Sequence, residues 1–162
     1  MDPCQESDFF GFEAGMEHAL EAMPMSVRLK LDLCGRKISL AQWRGLPLAV
    51  RQVALEVRCG TAVEIVRARR YFCFIVDAFG LGRLTPVRVD PRAWSARARI
   101  PVMVASAMEA LGLPCIDATA WAELSDLQRF ALIKLARQGH IRNLQLALEE
   151  FGLWTRRASP SI

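Results

Sequence analysis

Side chains that could do chemistry are few in this chain, and their spacing does not favour catalysis. The five cysteines are Cys4, Cys34, Cys59, Cys73 and Cys115, and the two histidines are His18 and His140. No two cysteines form a CxxC, whereas zinc sites pair ligands roughly two to four residues apart. The odd count predicts buried free thiols in a reducing compartment. A Cys–His nucleophile pair would have to be assembled by the fold, because such partners meet in space rather than in sequence. No GxSxG, HExxH, P-loop or GxGxxG run occurs, and Gly80-Leu81-Gly82 lacks the third glycine and the preceding strand. The expectation is a non-enzyme with no metal and no cofactor of its own.

Charge offers more. Residues 1–22 hold Asp2, Glu6, Asp8, Glu13, Glu17 and Glu21 with no Lys or Arg, a balance of −6. Residues 67–99 hold eight arginines against Asp77 and Asp90, a balance of +6 hidden inside a net charge of +4. Arg67, Arg69 and Arg70 in this basic middle are candidates for binding a partner or anion. A second cluster, Arg137, His140 and Arg142, crowds a predicted helix junction. It fits two readings: an anion site at the start of the last helix, or cations stabilising the end of the helix before it. Asp126/Arg129 and Glu64/Arg67 stand three residues apart on predicted helices. That spacing predicts surface pairs worth roughly a few tenths of a kcal/mol.

The elements that position these residues follow a repeated skeleton. In Met23–Trp43, Pro24 stands eleven residues before Gly35, followed by Ile38, Ser39 and Trp43. In Ile100–Trp121, Pro101 stands eleven before Gly112, followed by Ile116, Asp117 and Trp121. Leu46 then aligns with Leu124, Arg51 with Arg129 and Leu55 with Ile133. The prolines suit a first helical position and the glycines a left-handed helix end. Val27, Leu29, Leu31 and Leu33 alternate with Arg28, Lys30 and Asp32, which also fits a strand. The second copy, rich in helix formers such as Ala105, Ala107, Met108 and Ala110, favours helix for both. Ser39/Gln42, Thr61/Glu64 and Ser125/Gln128 read as capping boxes, and Asp117 as an N-cap. Trp43 and Trp121 read as core plugs.

These signals predict an all-α, compact helical domain covering 1–162. It is built from two degenerate helix–short Trp helix–helix repeats, about 23–58 and 100–137. A long helix and linker, about 61–93, joins them, with Ile65, Ala68, Phe72, Ile75, Val76 and Phe79 as its core stripe. The linker could hold an extended piece at Val87–Val89. A last helix runs about 141–151 and a mobile tail covers 155–162. Before the first repeat, a loose start (1–8), an aromatic cluster of Phe9, Phe10 and Phe12, and a short helix near Glu13–Ala22 are expected. At 162 residues and 52% hydrophobic, the chain can bury a sizeable core. No apolar run approaches the roughly 18–20 residues of a membrane span, and no secretory signal opens the chain. A cytoplasmic setting of bacterial type is expected.

Three blocks carry a family likeness: Phe10-Gly11-Phe12-Glu13, Met23-Pro24-Met25, and Val27 through Gly35 to Lys37-Ile38-Ser39-Leu40 and Trp43. It resumes at Cys59, Thr61, Glu64, Ile65, Trp121, Leu124 and Gln128 through Leu135. It closes at His140, Asn143, Ala147-Leu148 and Glu150 through Leu153. In these stretches the chain resembles the nitrate reductase associated proteins. It departs from them at Val50, Arg58 and Ile141-Arg142. The resemblance implies an accessory or maturation factor for assimilatory, molybdopterin-dependent nitrate reductase, and supplies no catalytic residues. The implied partner is nitrate reductase or its molybdopterin-cofactor-loading machinery. The alternative is a nucleic-acid-binding regulator using residues 67–99. It is disfavoured because the arginines are not interleaved with aromatics and no recognition helix is evident.

Overall fold

The computed structural model describes residues 9–15 and 19–155. Helices dominate, in two compact units divided between Pro91 and Arg92. The expected loose start at 1–8 and residues 156–162 of the expected tail lie outside the described residues.

In the first unit, helix α1 spans Met25–Leu33. The alternation that resembled a strand is helical because α1 is buried almost all round: Met25, Ser26, Val27, Leu29, Lys30 and Leu31 are all buried. A helix enclosed on most sides loses the apolar-polar period of a surface helix. Its polar residues are absorbed by backbone. Arg28 Nε donates to the Met23 carbonyl at 3.0 Å, and Lys30 Nζ donates to the Leu55 carbonyl.

Pro24 is the N-cap of α1, one position earlier than expected, and has no side-chain oxygen to offer. Glu13 supplies it instead. Its buried carboxylate accepts from Met25 N at 2.8 Å and from Phe10 N at 3.1 Å, satisfying an otherwise orphaned helix-start donor. Glu13 ends a 3-10 turn at Gly11–Glu13 rather than opening the expected helix to Ala22. Gly15 follows at φ +92° and Leu20 at φ +46°, both outside helical geometry. Phe10 and Phe12 stack at 5.1 Å.

Gly35, at φ +63°, turns the chain into a two-residue strand β1 (Arg36–Lys37). It pairs antiparallel with β2 (Thr85–Pro86) in the register Arg36↔Pro86 and Lys37↔Thr85. The extended piece therefore lies two residues before the expected Val87–Val89. Val87 N donates to the Gly35 carbonyl at 3.1 Å, which anchors the pairing beside the turn. Ser39 and Gln42 close a capping box over α2 (Leu40–Gly45). Pro47 then leads α3 (Leu48–Glu56). Thr61 and Glu64 cap α4 (Ala62–Ala78), the longest helix among the described residues. Ala68, Phe72, Ile75 and Val76 of α4 join Trp43, Val27, Leu31 and Ala54 in the core. Phe79 lies beyond the end of α4 and is exposed, not part of the core stripe.

The second unit opens with a short helix not foreseen from sequence, α5 (Arg92–Ser95), which buries Trp94. Then come α6 (Val102–Ala110), α7 (Ala118–Glu123), α8 (Asp126–Gln138) and α9 (Ile141–Glu150). Asp117 caps α7 by accepting from Thr119 N at 2.8 Å and Ala120 N at 3.2 Å. Ser125 and Gln128 box the start of α8, and Gly139 ends it at φ +66°. Leu127, Phe130, Ala131, Leu132, Ile133 and Leu135 of α8 are buried. Trp94 meets Phe130 edge to face at 5.2 Å.

Candidate functional site

Buried charge is the natural place to look for chemistry, and here it serves structure. Glu13, Lys30 and Arg129 are the buried charged side chains among the described residues. Glu13 closes the start of α1. Lys30, on α1, carries its ammonium to the last turn of α3, where a cation is favoured by unpaired carbonyls.

Arg129 was expected in a surface pair with Asp126. It is instead 0% exposed. Its Nε donates to the Trp94 carbonyl at 2.5 Å and its Nη1 to the carbonyls of Trp121 and Leu124. Nη2 holds the half-buried carboxylate of Asp126. The guanidinium thus gathers the end of α5, the end of α7 and the start of α8. The sequence signal for this role was the alignment of Arg129 with Arg51, eight residues after each tryptophan.

The outward-facing candidates fall into two sets, one in each unit. On α4 the three neighbouring arginines part company. Arg69 Nε donates to the Cys34 carbonyl at 2.8 Å, tying α4 to the end of α1. Arg67 and Arg70 are exposed and have no hydrogen-bond or ion-pair partner among the described residues. With them on one side of α4 lie Val63, Val66, Cys73, Phe74 and Asp77, all exposed. Their three- and four-residue spacing makes a single stripe.

An open groove of about 250 Å³ runs beside this stripe, lined by Val57, Arg58, Glu64, Arg67, Ala68 and Tyr71. The expected Glu64/Arg67 pair is not formed. Glu64 pairs with Arg58 at 3.2 Å, and also accepts from Gly60 N and Thr61 N at 2.9 and 3.0 Å. Arg67 is therefore left at the groove's edge with its charge uncommitted. Tyr71 donates to the Val50 carbonyl at 3.5 Å, and burial raises its pKa above the ordinary phenol value.

In the second unit, Arg137, His140 and Arg142 are exposed. Arg137 lies in the last turn of α8. His140 is the N-cap of α9, but its imidazole does not cap the helix. Among the described residues no group of three His, Cys, Asp or Glu side chains is placed to hold a metal ion. Cys34 and Cys59 are buried, as expected. Cys73 and Cys115 are exposed, because one lies on the outward stripe of α4 and the other in the loop before α7. Cys4 and His18 lie outside the described residues. No helix of the described residues is long and apolar enough to cross a membrane.

No curated protein and no solved structure matches this chain. One family model does, over residues 9–151, a span that holds every element from the Gly11–Glu13 turn to α9. The chain belongs to the conserved nitrate reductase-associated protein family.

Proposed function

We propose that this protein is a non-catalytic accessory or maturation factor needed for active assimilatory nitrate reductase. It acts in the cytoplasm by binding the reductase or its molybdopterin-cofactor-loading machinery. Family membership is the observation that carries this reading. Two features of the molecule support it. Its buried charges are engaged in holding helix ends together rather than gathered around a cavity. The uncommitted cations Arg67 and Arg70 face outward on α4, an arrangement suited to an anionic or acidic surface.

The test is affinity capture with the tagged protein from nitrate-grown cells, scored for nitrate reductase and its cofactor-loading proteins. Retention at physiological salt, together with loss of reductase activity when the protein is removed, is the expected result. Tight duplex-DNA binding at physiological salt with no retained reductase would replace this reading with a nucleic-acid role. DNA binding of that kind would weaken steeply with added salt, since each neutralised phosphate releases counterions.

A further inference from the structure

We infer that the outward stripe of α4 is the docking surface, and that its occupant is an acidic amphipathic helix of the partner protein. The inference rests on the proposed function and names the face and the chemistry that would carry it.

The stripe combines two features that a merely solvated face lacks. Val63, Val66 and Phe74 are 60%, 48% and 69% exposed, so about three turns of helix present apolar side chains to water. Arg67 and Arg70 lie among them. Neither is paired among the described residues, and they stand one turn apart, where like charges repel. Over Val63–Phe74 the stripe holds these two cations and no anion, since Glu64 turns aside to Arg58 and to the loop amides. A partner carboxylate placed between the two guanidiniums would relieve the repulsion and form charge-assisted bonds. Apolar residues on the same partner face would cover Phe74 and Val66.

The occupant's shape follows from the spacing. A straight stripe at positions 63, 66, 67, 70, 73 and 74 is the pattern of a helix that meets another helix side by side. The groove lined by Val57, Arg67 and Tyr71 gives such a helix a ledge along one edge. Duplex DNA would match the arginines alone and leave the valines and Phe74 in water.

The test starts from the nitrate reductase holoenzyme purified from the same cells and captured on the immobilised protein. R67E/R70E and, separately, F74S should each lower retention at least tenfold. Thermal unfolding should be unchanged, because these side chains face solvent. R137E/R142E, in the other unit, should bind as the unaltered protein does. In a C4S/C115S background, a photo-crosslinker on Cys73 should attach to an acid-rich helical segment of the reductase. Equal retention of R67E/R70E, F74S and the unaltered protein would overturn this inference and leave the proposed function standing. Crosslinks formed only between copies of this chain would overturn it in favour of self-association. Failure of the unaltered protein to retain either the reductase or, from the cell extract, its cofactor-loading proteins would overturn the proposed function, and this inference with it.

Discussion

The two units hold their tryptophan helices in place by the same kind of bond and with very different reserve. In the first, Trp43 Nε1 and Arg51 Nη1 both donate to one acceptor, the Leu20 carbonyl, at 2.6 and 2.9 Å. Leu20 reaches that position in a left-handed conformation, at φ +46°, which costs a leucine energy. Arg51 is half-buried, and its Nε is buried without a partner. In the second unit the work is divided. Trp121 Nε1 donates to the Ala96 carbonyl at 3.4 Å, while Arg129 takes the carbonyls of Trp94, Trp121 and Leu124 and the carboxylate of Asp126. The first unit compensates with two further buried charges, Glu13 at the start of α1 and Lys30 at the end of α3. Equivalent sequence positions therefore carry unequal structural weight, and the difference lies in how many backbone acceptors each cation reaches.

The largest effect should come from the tryptophans, where the units are alike. Both are 0% exposed. Trp43→Ala and Trp121→Ala should each cost about 3–5 kcal/mol. Chemical denaturation gives the magnitude, and amide hydrogen exchange shows which unit has opened. A loss below about 1 kcal/mol at either site would show that the flanking helices hold without that plug.

The arginines should separate the units. Arg129→Met removes a fully buried cation and leaves three carbonyls and Asp126 without it, at a cost of about 3 kcal/mol. Arg51→Met removes one side-chain hydrogen bond from a half-buried residue, at a cost of about 1 kcal/mol. Measured by the same denaturation series, equal losses would refute the claim of unequal weight.

What the sequence disclosed about this fold was local. The caps at Ser39, Thr61, Asp117 and Ser125 each act within three residues of themselves, so residue type and spacing were enough to find them. Gly35 and Gly112 both adopt φ +63°, as their place after a helix required. The interactions that local spacing does not reveal span long separations. Glu13 caps a helix that begins twelve residues later, and Lys30 reaches a carbonyl twenty-five residues away. A lysine in an alternating stretch looks like a surface residue until its acceptor is known. Arg129 divides in the same way: its pairing with Asp126 is visible at helical spacing and is formed, whereas its burial against Trp94, thirty-five residues earlier, is not visible. At the candidate site, helical spacing sufficed to turn Arg67 and Arg70 outward. It could not show that Arg69, between them in sequence, is held by the Cys34 carbonyl.

The smallest effect concerns the caps of the two tryptophan helices, which differ in one respect that pH can expose. Ser39 caps α2 through a hydroxyl and a reciprocal Gln42, neither of which titrates. Asp117 caps α7 through a carboxylate, and its bonds from the amides of Ala120 and Thr119 lower its pKa from the ordinary value of 3.8. A lowered folded-state pKa means that the charged form is the one favoured by folding. The stabilisation is therefore complete above the unfolded value. It declines as pH falls below 3.8 and is gone once pH has passed through the lower folded-state value. Exchange protection at Thr119 and Ala120 should accordingly fall in acid relative to that at Gln42, after correction for intrinsic exchange. Asp117→Ser should make the two helices respond alike. Acid loss of protection at Gln42 equal to that at Ala120, in the unaltered protein, would place the titrating group elsewhere.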